Sequence, residues 1–337
     1  MGKQTKAEKQ GMTLLTVSDI SKTGRGNFKL QGITFSQRKN QKIALAGETG
    51  SGKSTLLKII AGLEQADTGE VVFKTRIVKG PAENLVPGHP GIAYLSQDFE
   101  LPKFLRVEQI LSYANNLSEA EAKRLFDVCE ISHLLDRKSD ELSGGERQRI
   151  ALAKLLIGSP ELLLLDEPFS NLDMVHRNTL KTVLEKICEH LKITCILVSH
   201  EPADVLSWAD KIIVLKSGEI VQDGSAKKIY RMPVSEYVAG LFGSYNLLDG
   251  AHALSLIGRW GIKATKKRLL IRPENLKIVT KKHNAVAGNV VAVSYFGSYY
   301  EINVKVEELN ILIRSKKNKA KRGDRVYVKC SSDDVNI

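Results

Sequence analysis

One nine-residue stretch restricts what this chain can fold into more than any other. "GETGSGKST" runs from Gly47 to Thr55, directly after the apolar run "KIALA" and leading into the helix-patterned "TLLKIIAGL". It reads G-x-x-x-x-G-K-S in a strand–loop–helix context, where a glycine-rich loop wraps phosphates. Gly47, Gly50 and Gly52 let the backbone approach closely. Backbone N–H groups from Glu48 to Thr55 can then point inward, reinforced by a helix N-terminus. Lys53 is placed to reach the β- and γ-phosphates, the Ser54 hydroxyl to bind Mg²⁺, and Thr55 to serve the α-phosphate side. The chain is expected to bind a nucleotide.

The surroundings set the fold class. "KIALAG", "GIAYLS", "ELLLLDEP", "TCILVSH" and "KIIVL" are short apolar runs bounded by Gly, Pro or charge. Continuous runs of this kind suit parallel strands buried on both faces. Helical patterns such as "STLLKIIAGL" and "HRNTLKTVLEKICEHL" lie between them, so residues 13–230 read as an α/β domain with a largely parallel sheet. After about Leu248 the texture changes. "LLIRPENLKIV", "NVVAVSYFG", "YYEINVKV", "NILIRS" and "DRVYVKC" alternate with turn residues, and helical periodicity is nearly absent. Residues 249–337 are therefore expected to form a small all-β, OB-like barrel, with 231–248 as a connecting helix and linker.

Bulk properties exclude several classes. The 337 residues are 42% hydrophobic and 26% charged, an ordinary globular composition. No apolar run approaches the ~20 residues a membrane-spanning helix needs. The start, "MGKQTKAEKQGM", lacks the apolar core of a signal peptide, and residues 1–12 read as a short disordered tail. Cys129, Cys188, Cys195 and Cys330 show no Cys-x-x-Cys spacing, which argues against a zinc site or a disulfide framework. The net charge of +12 suits acidic partners such as a nucleotide, nucleic acid or an anionic membrane surface. Its densest run, "RSKKNKAKRGDR" from Arg314, reads as a solvated basic loop.

In "LLLLDEP" four leucines make a buried strand with Asp166 at its C-terminal end, the end where open α/β sheets bind ligands. Asp166 is placed to hold Mg²⁺ and Glu167 to polarise an attacking water. Phosphoryl transfer needs mainly positioning and charge neutralisation. His200 ends "TCILVSH"; it is either a structural strand-end histidine or a donor to the γ-phosphate. Gln97 follows "GIAYLS" and could offer its amide oxygen to Mg²⁺. Finally, "LSGGERQRIALAKLL", Leu142 to Leu156, sets a glycine pair at a helix start, although glycine is a poor helix former. It looks like a second anion cradle.

The ordered set GETGSGKST, Gln97, LSGGERQ, LLLLDEP, SNLD (ending in Asp173) and His200 resembles the ATP-binding-cassette ATPases, over roughly residues 14–224. The resemblance implies a P-loop NTPase cassette with a helical subdomain at about 98–156. It also implies Mg²⁺–ATP hydrolysis in a head-to-tail homodimer. Leu142, Ser143, Gly144, Gly145 and Glu146 of one copy would cap ATP held by Gly47–Thr55 of the other, with Asp173 in the adjoining turn. Glu167, His200 and Gln97 would act in catalysis, and Ser54, Gln97 and Asp166 on Mg²⁺. Where the family stacks an aromatic on adenine, Phe28 is the candidate here. Asn171 and Lys154 depart from residues usual in the family, and the span between Val107 and Leu142 is shorter than in sugar importers.

The C-terminal segments "LLIRPENLKIV" and "GNVVAVSYFGS" resemble the TOBE-like barrel of binding-protein-dependent importer ATPases. This implies integral-membrane permease subunits as partners and, indirectly, an external solute-binding protein. It places the chain peripherally at the cytoplasmic face of the plasma (inner) membrane. The short extension and "LFGSYNLL" point to an inorganic ion, ferric iron or polyamine as cargo, with sugar as the alternative. A soluble cassette ATPase acting on nucleic acid is the reading of a different class. One cassette and no heptad run argue against it, so no nucleic acid partner is expected. A catalytically dead cassette is opposed by the presence of Lys53, Asp166, Glu167 and His200.

Overall fold

The computed structural model describes residues 12–24, 29–97, 100–113, 115, 117–170, 172–261, 268–280 and 283–330. The chain divides into two compact units, Met1–Ala226 and Lys227–Ile337.

The first unit opens with β1 (Thr13–Thr23), β2 (Lys29–Arg38) and β3 (Lys42–Ala46), then α1 (Lys53–Ile60), β4 (Thr68–Phe73), β5 (Arg76–Ile77) and β6 (Ile92–Leu95). Three helices follow: α2 (Val107–Ser112), α3 (Glu119–Val128) and α4 (Gly144–Leu156). The unit closes with β7 (Leu162–Asp166), α5 (Met174–His190), β8 (Thr194–Val198), α6 (Pro202–Trp208), β9 (Lys211–Lys216) and β10 (Glu219–Gly224). A six-stranded sheet has the order β10-β9-β3-β8-β7-β6. Its strands run parallel except β10, which returns antiparallel beside β9.

The side-chain alternation of a strand explains how this sheet is buried on both faces. Leu162, Leu164, Ile196 and Val198 join one core with Leu56, Leu57 and Ile60 of α1. Leu163, Leu165, Cys195 and Leu197 join another with Ile150 and Leu152 of α4 and Leu180 and Leu184 of α5. Both strands that end at the acidic and histidine positions are therefore clamped from two sides. Each fully buried leucine or isoleucine contributes about 1.5–3 kcal/mol.

A second sheet, of order β2-β1-β4-β5 and antiparallel, lies outside the sequence reading of a largely parallel domain. The β1–β2 register shifts between Thr13 and Leu15, Val17 and Ile20, and Ile20 and Lys22. These irregularities blur the two-residue period by which such strands are recognised. The sequence also keeps its cysteines apart, yet the free thiols of Cys188 on α5 and Cys195 on β8 lie 3.1 Å apart.

At the start of the second unit come α7 (Ala226–Arg231), α8 (Glu236–Leu241), β11 (Asn246–Asp249), α9 (Gly250–Arg259) and β12 (Arg268–Ile271). They are followed by β13 (Leu276–Val279), β14 (Val286–Tyr295), β15 (Tyr300–Val306), β16 (Leu309–Ser315) and β17 (Arg325–Cys330). An antiparallel five-stranded sheet has the order β13-β17-β14-β15-β16, and β11 pairs with β12. Two expectations are corrected. The 231–248 segment is not one linker helix: α8 spans six residues, and β11 already belongs to the sheet structure of this unit. Helix α9 also interrupts the region read as all-β. It packs Leu256, Ile257 and Trp260 into the barrel core, and the Trp260 Nε1–H donates to the Val328 carbonyl at 2.9 Å. A ten-residue helix with glycines inside and at its ends carries too few turns for its period to stand out.

The "IRPE" segment has a visible job. Buried Arg272 donates to the carbonyls of Tyr230, Ala239, Gly243 and Ser244 at 2.9–3.2 Å and stacks 4.2 Å from the Tyr230 ring. Burial holds its pKa below the usual guanidinium value. It gathers carbonyls from α7 and from the C-terminal end of α8, where helix carbonyls run short of backbone donors.

Candidate functional site

The phosphate loop leaves β3, a strand with β8 on one side and β9 on the other. Gly47 sits at φ 153°, and a Cβ there would lie 2.4 Å from the Leu215 carbonyl oxygen, so no side chain fits. Helix α1 starts after Gly52, which is left-handed at φ 100°, and no side chain caps it. Buried Lys53 turns back into the loop. Its Nζ donates to the carbonyls of Gly47 at 2.9 Å and Glu48 at 2.8 Å, and lies 3.4 Å from Ser51 Oγ. Burial lowers its pKa, and the carboxylates of Glu167, Asp166 and Glu48 oppose that shift. Thr49, Gly50 and Thr55 complete the loop and the first turn of α1.

The acidic end of β7 meets this loop. Ser54 Oγ donates to Asp166 Oδ1 at 2.9 Å, and the Tyr94 hydroxyl donates to Asp166 Oδ2 at 2.9 Å. Burial, reinforced by the Asp166 charge, pushes the Tyr94 phenol well above its ordinary range. Glu167 adopts a left-handed φ of 47°. Its N–H donates to the Val198 carbonyl at 3.0 Å, and its carbonyl accepts from Ser170 N and Oγ. The chain therefore turns sharply, and the Glu167 carboxylate comes within 3.4 Å of His200 Nδ1. The His200 turn is itself braced. Ser199 Oγ donates to buried Asp204 at 3.2 Å and accepts from Glu201 N, and Asp204 pairs with Lys181 of α5.

Gln97 stands just beyond β6 and lines a cavity of about 480 Å³ together with Gly144, Gln148, Ser170 and Leu172. Among the described residues no hydrogen bond joins it to Asp166 or Ser54. The structure thus brings Ser54, Asp166, Glu167 and His200 together around the loop, while Gln97, just beyond β6, lines the cavity beside the signature segment. Phe28 lies outside the described residues.

The signature segment is a capped helix start. Ser143 is the N-cap of α4: its hydroxyl accepts from Glu146 N at 3.3 Å, and Glu146 Oε2 accepts from Ser143 N at 2.8 Å. These bonds hold the Glu146 carboxyl below its ordinary range. Leu142 is buried in the core with α4. A Cβ on Gly144 would meet open space, whereas one on Gly145 would come within 2.8 Å of the His176 ring. Asp173 caps α5, accepting from Val175 N at 2.9 Å and His176 N at 3.0 Å.

Sequence reasoning missed two of these residues. Tyr94 had a signal: a phenol inside a buried strand needs a partner for its hydroxyl. His176 had none, because its role depends on how two helices meet.

Chemically, the site offers hard oxygen ligands from Ser54 and Asp166 converging beside a backbone cradle and a buried ammonium. That donor set fits Mg²⁺, which takes one or two protein ligands and keeps phosphates and waters for the rest. Among the described residues no cluster of three His, Cys, Asp or Glu forms a protein-only metal cage.

This is the arrangement of a nucleotide-hydrolysing cassette, and comparisons with known proteins agree. A sequence family described as "ABC transporter" matches residues 30–170, and one described as "TOBE domain" matches residues 269–336. The "Spermidine/putrescine import ATP-binding protein PotA" of Spiroplasma citri is 30% identical over 96% of this chain and 97% of its own length. The "Glucose import ATP-binding protein GlcV" of Saccharolobus solfataricus is 34% identical over 86% and 87% respectively. Among solved structures, an ATP-binding cassette of an ABC transporter in its ADP conformation matches with a TM-score of 0.58. It is 26% identical and covers 68% of this chain and 98% of its own. The chain belongs to the ATP-binding-cassette family, in the group of import ATP-binding proteins that carry a TOBE domain. It is an ATP-hydrolysing transporter ATPase. Among the described residues no helix is long and apolar enough to cross a membrane.

Proposed function

We propose that this chain is the peripheral ATPase subunit of an importer and works as a head-to-tail homodimer on two integral-membrane permease subunits at the cytoplasmic face of the inner membrane. An external solute-binding protein would deliver the cargo. The observation that carries this reading is the meeting of the start of α1 with the ends of β7 and β8: Ser54 on Asp166 at 2.9 Å, and Glu167 within 3.4 Å of His200. Bound Mg²⁺, held by Ser54 and Asp166, would supply charge neutralisation on the phosphates. Lys53 and the loop N–H groups bind the phosphates. Tyr94 holds Asp166 in place, Glu167 orients the attacking water, and His200 donates to the γ-phosphate. Gln97 links the site to the cavity beside the helical segment. Ser143, Gly144 and Gly145, flanked by Leu142 and Glu146, close on the partner's ATP beside Asp173.

For cargo, the polyamine-import relative supports a polyamine, while relatives named for Fe(3+) import and for molybdate/tungstate import support ferric iron or an inorganic ion. The glucose-import relative supports sugar as the second reading. Glu167→Gln is expected to trap an ATP-bound dimer, read by light scattering; a variant that stays monomeric with ATP while wild type dimerises sinks the role of Glu167. A pull-down from detergent-solubilised native membranes identifies the permease. Recovery with an exporter or with nucleic acid alone refutes the importer assignment.

A further inference from the structure

We propose that His176 is a positioning residue that ties the Asp173 turn to the signature segment, so that both reach a partner copy's nucleotide as one unit. The proposal rests on the head-to-tail dimer above. Asp173 uses Oδ1 to cap α5 through Val175 N and His176 N. Its second oxygen, Oδ2, is 2.6 Å from His176 Nδ1. Those bonds, led by the His176 backbone N–H, hold the Asp173 carboxyl below its ordinary range. An ionised acceptor fixes Nδ1 as the protonated ring nitrogen.

The same imidazole rests on α4. A Cβ at Gly145 would lie 2.8 Å from His176 Cδ2 and 3.2 Å from its Cβ and Cγ. A glycine at 145 is therefore what admits the ring. A second tie runs parallel to the first: the Gln148 amide of α4 donates to the Pro168 carbonyl. The segment from Pro168 to Asp173 is thus pinned to the signature helix at both ends. The Asp173–His176 pair is largely solvent-exposed, and exposed pairs add little to stability. What it contributes is orientation. Histidine suits the place because it combines a donor at Nδ1 with a flat edge. Leucine would keep apolar bulk without the donor, and asparagine would keep a donor near the Nδ1 position without the ring.

The test compares His176→Leu and His176→Asn in the full chain, alone and in the Glu167→Gln background. ATP-driven dimerisation is followed by light scattering, hydrolysis by kcat and KM, folding by thermal melts, and monomer nucleotide affinity with a fluorescent ATP analogue. His176→Leu is expected to lower kcat about tenfold and to weaken ATP-driven dimerisation, since small misplacements of positioning groups carry large rate costs. KM, melting temperature and monomer affinity stay at wild-type values. His176→Asn recovers most of kcat and dimerisation. The proposal is overturned if His176→Leu dimerises and hydrolyses like wild type. It is also overturned if the Leu and Asn variants lose equally, or if the losses track a fall in melting temperature. If neither wild type nor the Glu167→Gln parent dimerises with ATP, the dimer reading fails first and this proposal falls with it.

Discussion

The two glycine-rich helix starts of the cassette are built in opposite ways. Helix α1 follows a left-handed Gly52 with no side-chain cap, whereas α4 carries a closed capping box between Ser143 and Glu146. A helix start leaves four N–H groups in need of acceptors. At α1 those groups are offered to a ligand. At α4 the protein satisfies two backbone donors itself, and the segment is stiff before anything binds. Glycine content alone therefore does not distinguish a site that captures an anion from one that closes over an anion already held; the cap does.

The sharpest way to break this contrast is Lys53→Met. If α1 is the capturing site, hydrolysis falls on the order of a thousandfold, and titration with a fluorescent ATP analogue shows weakened binding to the monomer. Unchanged affinity would reassign the loop. Ser143→Arg comes next: hydrolysis is expected to fall on the order of a hundredfold while monomer affinity stays within about twofold of wild type. A matching loss of binding would give both helix starts the same role.

A smaller effect separates the caps. The depressed carboxyl of Glu146 contributes stability above the ordinary glutamate value of 4.5, which is lost as pH falls through its lower folded value. Glu146→Gln should cost about 1 kcal/mol near neutral pH and flatten melting temperature between neutral pH and that acid range. An unchanged profile would mean the box is not closed in solution. The smallest effect is expected for Gly144→Ala, which meets no atom within 4 Å and should change stability by less than about 0.5 kcal/mol. A large loss in a thermal melt would show that the face beside Gly144 is packed rather than open.

These contrasts also mark what a sequence can reveal. The phosphate loop and "LLLLDEP" are legible because local backbone demands and burial on both faces each leave a one-dimensional trace. Ser143-x-x-Glu146 is equally legible as a capping box, although its glycines draw attention to phosphate first. Tyr94 holds Asp166 across 72 positions, a pairing created by strand order alone. His176 meets Gly145 only because α4 and α5 pack together. Helix α9 hides for another reason: ten residues with glycine at 250 and 258 carry too few turns for a helical period to stand out among the strands.

The inward turn of Lys53 has a consequence for affinity. Its ammonium is already hydrogen-bonded to two carbonyls of the loop. Nucleotide capture is therefore an exchange of partners, not an addition to a bare charge. In effect Lys53 makes the loop compete with its own substrate, and the binding strength that a titration reads is the difference between phosphate oxygens and the peptide oxygens they displace.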